Sequence, residues 1–108
     1  MFVSPRFQGK VSRFSFDSDG RVFSALIDLG TCKFNLVNIY APNTVTGRRV
    51  FFQNLHQYFL CPCRIIAGDF NCVDNNLDRL RVLNYSLPDK SNFRRLLSDC
   101  SLIDVWRK

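Results

Sequence analysis

The sequence predicts an α/β layered fold, and three patterns carry that expectation. The first third alternates apolar and polar residues around two chain reversals, which is the signature of antiparallel strands. Two later segments repeat apolar residues at the three-to-four spacing of a helical face. Between them, Arg64-Ile65-Ile66-Ala67-Gly68-Asp69-Phe70 is a short apolar run without polar alternation. Such a run reads as a buried central strand, here one that ends at a carboxylate.

Taken in order, Val11 to Phe16 alternates as a strand, and Asp17-Ser18-Asp19-Gly20 is a turn signal leading into the run Arg21 to Asp28. Gly30-Thr31-Cys32 reverses the chain again, and Lys33 to Tyr40 follows as a strand apolar on both faces, expected to be covered on both sides. Pro42 breaks it, since proline brings no N–H to the ladder and restricts the residue before it. A helix is expected from about Gly47 to Phe59, with Phe51, Phe52, Leu55, Tyr58 and Phe59 on its inner side. Residues 72–90 read as a long connection. A second helix is expected from Ser91, turning Phe93, Leu96, Leu97 and Cys100 inward.

The chain has 108 residues, within the range of one domain, and its 15 Lys+Arg against 9 Asp+Glu leave a net charge of +6. A positive field suits nucleic acid but does not by itself select it. The basic pairs Arg48-Arg49 and Arg94-Arg95, with Arg79 and Arg81, are scattered, so solvated faces are the plain reading. No apolar run reaches the roughly 20 residues that span a bilayer, and no secretory signal is visible, so a soluble intracellular protein is expected. Five cysteines at irregular spacing, including Cys61-Pro62-Cys63, fit reduced core residues better than a metal knuckle. No small-molecule cofactor is indicated.

Asp69 and Asn71 are the most informative pair. Two residues apart, they share a face if the strand continues through them, and they sit where a strand meets a loop. A carboxylate there can orient or deprotonate water, and an amide can donate to a phosphate oxygen. The plain alternative is a pair of turn-formers. Tyr40 and Asn43 flank the Pro42 break and supply a phenol and an amide, neutral donors suited to a phosphodiester. The bland reading there is a strand-end aromatic and a turn asparagine.

Four ordered blocks then carry a resemblance: Asn38-Ile39-Tyr40-Ala41-Pro42-Asn43, Ile66-Ala67-Gly68-Asp69-Phe70-Asn71-Cys72-Val73, Asp78-Arg79, and Leu102-Ile103-Asp104-Val105-Trp106-Arg107. They resemble the endonuclease/exonuclease/phosphatase superfamily, and in particular the endonuclease domain of LINE-type (non-LTR) retrotransposons. The resemblance implies a partial four-layer α/β/β/α sandwich (DNase I-like), with residues 1–108 as the central portion and the N- and C-terminal parts missing. It implies Mg²⁺ as cofactor, DNA as partner and the nucleus as location. By the same resemblance Asp69 aligns or activates the attacking water, Asn71 steadies the scissile phosphate, and Tyr40 and Asn43 contact the phosphate and nearby backbone.

Two departures temper this. The chain contains no glutamate, whereas the family's principal metal ligand is one, and the family's catalytic histidine block has no counterpart. The only histidine, His56, falls in the expected first helix and reads as a surface or packing residue; Asp74, Asp78 and Asp104 read as solvated or paired. The chain by itself is therefore expected to be nearly inert. The alternatives are another hydrolase of the superfamily (an abasic-site endonuclease or a phospholipid phosphodiesterase) and a non-catalytic nucleic-acid-binding or remnant protein.

Overall fold

A computed structural model of the chain describes residues 1–72 and 88–105. They form a mixed α/β structure with one four-stranded sheet and two helices. The elements are β1 (Lys10–Phe16), β2 (Val22–Asp28), β3 (Lys33–Tyr40), α1 (Val45–Asn54), a 3₁₀ turn (Leu55–Tyr58), β4 (Arg64–Asp69) and α2 (Pro88–Asp99). By contact density they divide into two compact units. One comprises Met1–Tyr40 with Tyr58–Gly68; the other comprises Ala41–Gln57 with the described residues from Asp69 on.

The first unit is the sheet, in the order β1-β2-β3-β4. β1, β2 and β3 form an antiparallel meander, with Val22 opposite Ile39 and Ile27 opposite Phe34. Each reversal is tied by an aspartate. Asp17 Oδ1 accepts from the N–H groups of Arg21 (2.7 Å) and Val22 (2.9 Å). Asp28 Oδ1 accepts from Gly30 N–H at 2.8 Å, and this bond holds the Asp28 carboxyl below the usual carboxylate range, helped by Lys33. A carboxyl lowered on folding adds stability above its unfolded pKa, and the contribution fades as pH falls through the folded value. The register slips between Ser12 and Ser15, a bulge in which Arg13 takes a φ of 52°. Asn35 N–H donates to the Cys63 carbonyl and Ala41 N–H to the Asp69 carbonyl, both at 2.8 Å. The common offset makes β4 parallel to β3.

One face of the sheet is closed. Val22, Val37 and Ile39 are buried there, as are two polar residues that the chain uses as a knot. Asn35 Nδ2 donates to Ser24 Oγ (2.7 Å) and to the Ala25 carbonyl (3.1 Å), Ser24 Oγ donates to the Tyr58 carbonyl (2.7 Å), and Leu60 N–H donates to Asn35 Oδ1 (3.0 Å). The segment after the 3₁₀ turn is thereby fastened across β2 and β3. Arg64 adds to it by lying over the Phe59 ring, 4.3 Å from its centroid.

The opposite face is apolar but only half closed. Ala25 and Ile27 are buried on it, Phe23, Phe34 and Leu36 are half-buried, and Phe14 rests on Phe23 at 5.9 Å while remaining 58% exposed. The Asn35–Cys63 bond sets Asn35 level with Arg64, so Ile65, 52% exposed, comes level with Leu36 on this side. Replacing Phe14 by Ser and Ile65 by Thr together should halve binding of a hydrophobic dye with little change in circular dichroism. Unchanged dye fluorescence would show that this face is covered in solution.

Two expectations for the strands are corrected here. β3 is not covered on both sides: Asn35, Val37 and Ile39 are buried, but Asn38 and Tyr40 are exposed on the other face. β4 is not a buried central strand either. It is the last strand in the sheet order, and Ile65, Ala67, Gly68 and Asp69 are all exposed. An apolar run signals that a strand has something to bury; it does not supply the neighbour that buries it.

The second unit packs α1 on α2. Thr44 caps α1, its Oγ1 accepting from Gly47 N–H at 3.1 Å, so the helix begins at Val45 rather than Gly47. It ends at Asn54, with the 3₁₀ turn occupying part of the length expected to be helical. Phe52 and Leu55 are buried as expected, and Phe51, Tyr58 and Phe59 are half-buried. α2 starts at Pro88, three residues before the expected Ser91; a first helical position needs no N–H, which suits proline. Phe93 and Leu96 are buried, with Leu97 and Cys100 half-buried. None of the five cysteines is fully buried and none is in a disulfide, so the core role expected for them is not observed.

Candidate functional site

The segment that carries Asp69 and Asn71 is positioned from below by aromatic packing. Phe70, between them, meets Phe93 edge-on at 5.3 Å and Phe52 at 6.4 Å, and Phe52 and Phe93 are 6.3 Å apart. Each such contact contributes about 0.5–1.5 kcal/mol beyond its buried area. The ring between the two polar residues thus anchors them to both helices.

From above, hydrogen bonds set the two side chains. β4 ends at Asp69, whose carbonyl accepts from Ala41 N–H at 2.8 Å. The chain then bends: Asn71 takes a left-handed φ of 50°, and its N–H donates to Asp69 Oδ1 at 2.9 Å. Asn71 Nδ2 reaches back to the Ala41 carbonyl at 2.6 Å. The Asp69 side chain is thus bonded to the Asn71 backbone, and the Asn71 side chain to Ala41, in a bend rather than along a continuing strand. A tight turn through the Asp69 carboxylate replaces the expected period-two arrangement. Asp69 is exposed, and its second carboxylate oxygen makes no hydrogen bond among the described residues. One Asn71 amide hydrogen is committed to structure, which leaves one for a ligand.

Asn43 lies in the same unit. Its side chain is exposed, while its carbonyl is held by a residue that the sequence reading placed among solvated basic pairs. Arg48 is 6% exposed, and its Nη1 donates to the carbonyls of Pro42 (3.1 Å) and Asn43 (2.6 Å). The guanidinium therefore sets the turn that presents Asn43. Helical spacing places Arg48 on the same side as buried Phe52 and Leu55, but spacing alone does not name the carbonyls that receive it.

Tyr40 closes β3 in the sheet unit. It is 50% exposed, its ring lies 5.4 Å from the Arg21 guanidinium, and its carbonyl accepts from Arg21 Nη1 at 3.1 Å. Its N–H donates to the Arg21 carbonyl at 2.8 Å, so the end of the strand is fixed on three counts. His56 is exposed on the 3₁₀ turn, with Nδ1 2.9 Å from the Gln53 carbonyl, and stands apart from the bonds around Asp69. Asp74, Asp78 and the Trp106-Arg107 end of the last block lie outside the described residues.

These features define a mixed α/β chain that presents an exposed carboxylate and an amide in one hydrogen-bonded turn at the end of its edge strand. In sequence it is similar to the transposon TX1 uncharacterized 149 kDa protein of Xenopus laevis, with 33% identity over 97% of this chain. The chain is thus related to a transposon protein, and it spans only 8% of that protein's length. No family model matches it. No described helix is long and apolar enough to cross a membrane.

Proposed function

We propose that the chain is the central part of a LINE-type endonuclease domain of the endonuclease/exonuclease/phosphatase class, whose complete form nicks DNA to prime reverse transcription. The observation that carries this reading is the Asp69–Asn71 turn, a solvent-facing carboxylate locked beside an amide at the end of β4. Similarity along nearly the whole chain to a transposon protein supports it independently.

In the proposed reaction Asp69 aligns a water molecule and draws its proton toward the carboxylate oxygen not engaged by Asn71. The free amide hydrogen of Asn71 and the exposed side chain of Asn43 donate to the phosphodiester, and Tyr40 is assigned a phosphate contact by the resemblance alone. Nuclear residence follows from a chromosomal substrate. The half-closed apolar face of Phe14, Phe23, Phe34, Leu36 and Ile65 is what the second sheet of a four-layer α/β/β/α sandwich would cover, and the side of β4 away from β3 is where a further strand would add.

The described residues do not by themselves assemble a protein site for Mg²⁺. Magnesium is held by oxygens in near-octahedral array, usually including carboxylates. Among the described residues no three His, Cys, Asp or Glu side chains come together, and the sequence has no glutamate. The chain alone should be nearly inert, since groups that act as a unit fail together.

With Mg²⁺ present, this chain should leave supercoiled plasmid closed. A polypeptide extended on both sides by the flanking coding sequence should nick it, and Asp69→Ala should slow that nicking by about 100-fold or more. Nicking by the extended form that is indifferent to Asp69→Ala would overturn the assignment. Salt-sensitive binding of DNA without any nicking by the extended form would favour the non-catalytic binding protein, to which the +6 charge is equally suited.

A further inference from the structure

A second feature of the helical unit is unrelated to Asp69. α1 and α2 enclose an open cleft of about 210 Å³. That is several times the roughly 30 Å³ share of one water, so a phosphate and part of its sugar fit within it. Phe52 and Leu96, both buried, form the floor. Arg49 and His56 stand on one wall and Arg95 on the other, with the amides of Gln53 and Asn92 beside them. The arrangement follows from sequence spacing. Arg49, Gln53 and His56 lie four and seven residues apart along one face, and Asn92, Arg95 and Asp99 three and seven along the other.

Arg49 and Arg95 are both exposed, and neither makes an ion pair among the described residues. Their guanidiniums are therefore available to an anion, and guanidinium groups match phosphate oxygens in geometry as well as charge. His56 Nδ1 is turned to the Gln53 carbonyl, which leaves Nε2 as the ring's remaining polar atom. The one opposing group is Asp99, on the α2 wall.

We propose that this cleft binds a backbone phosphate of nucleic acid, with Arg49 and Arg95 supplying the charge and the Gln53, Asn92 and His56 side chains the neutral contacts. Contacts to backbone phosphate carry no base information, so the binding is expected to be independent of base sequence. It extends the chain's hold on nucleic acid to a second place and does not require Asp69 to be catalytic.

The test measures binding of the whole chain to a 16-base-pair duplex by fluorescence anisotropy across a salt series. Arg49→Gln/Arg95→Gln should weaken binding by about tenfold or more. It should also reduce the slope of log K against log salt by about 0.9 to 1.8, depending on whether the two guanidiniums share one phosphate. Asp99→Asn should tighten binding a few-fold. Arg6→Gln/Lys10→Gln, which removes the same charge from the sheet unit, should leave the slope nearly unchanged. Equal losses in the two double variants would overturn the proposal, as would no loss in either. A second readout does not depend on variants: the His56 ring signals in the NMR spectrum should shift on adding duplex. If they shift with inorganic phosphate but not with duplex, or if the cleft variant loses only binding to phosphatidylserine vesicles, the nucleic-acid assignment is wrong. Asp69→Ala should slow nicking in the extended form without loss of duplex binding, so the two proposals stand or fall separately.

Discussion

A Gly68→Ala chain should lose about 3 kcal/mol or more of folding stability, a large share of the roughly 5–15 kcal/mol that holds a domain together. Gly68 has a φ of +129°, which side chains rarely adopt, so any replacement is strained before packing is considered. Packing then adds to the strain. A methyl group at this position would overlap the Ile39 carbonyl oxygen and lie 2.8 Å from its nitrogen. Neither neighbour can rotate away, because both are backbone atoms of β3. Relief requires β4 to lift from β3, and the bonds from Asn35 to Cys63 and from Ala41 to Asp69 would break with it. Urea denaturation followed by circular dichroism measures the loss. A midpoint within the error of the parent would mean that β4 does not lie against β3 as described. The expected damage reaches the candidate site, because the residue after Gly68 is Asp69. Closeness of two strands here, rather than turn flexibility, is what demands glycine.

Local chemistry explains which parts of the molecule could be read from the sequence. The β1–β2–β3 meander was legible because alternation and two Asp/Gly reversals agree, and Asp17 and Asp28 act as the turn anchors that such residues usually are. The inner faces of α1 and α2 were legible from spacing, as Phe52, Leu55, Phe93 and Leu96 bear out. The burial of β3 and β4 was not legible, since hydrophobicity records a demand for cover and the cover depends on which neighbours are present. Arg48 was missed for a related reason. A charged residue beside another arginine resembles a solvated pair, and only the three-dimensional turn at Pro42 and Asn43 supplies the two carbonyls that make its burial favourable. At the site the expected continuation of the strand through Asn71 is not observed, since β4 ends at Asp69. Asp69 and Asn71 meet through a left-handed bend, which residue spacing does not encode.

The same dependence on three-dimensional partners makes Asn35 the second residue whose loss should be severe. Fully buried, it has no water to turn to, and its bonds to Ser24, Ala25 and Leu60 satisfy it within the sheet unit. Asn35→Leu keeps the volume roughly constant but orphans the Leu60 N–H and takes from buried Ser24 Oγ its donor, while the Ala25 carbonyl keeps its place in the β2–β3 ladder. Each orphaned group costs about 1–3 kcal/mol, so a loss of about 2–4 kcal/mol in denaturant unfolding is expected. Ser24→Ala should cost less, about 1 kcal/mol, since it removes one member and leaves Asn35 its other partners. The double variant should be less damaging than the sum, with a coupling of about 1 kcal/mol, because the Asn35–Ser24 bond is counted in both singles. Strict additivity would mean that the two side chains do not share a bond in solution. Because Leu60 and Tyr58 lead directly into β4, hydrogen exchange at Leu60 and along β4 should accelerate in Asn35→Leu before the β1–β2 hairpin does. Uniform acceleration would instead show that the sheet unit opens all at once, and that the buried amide holds no part of it in particular.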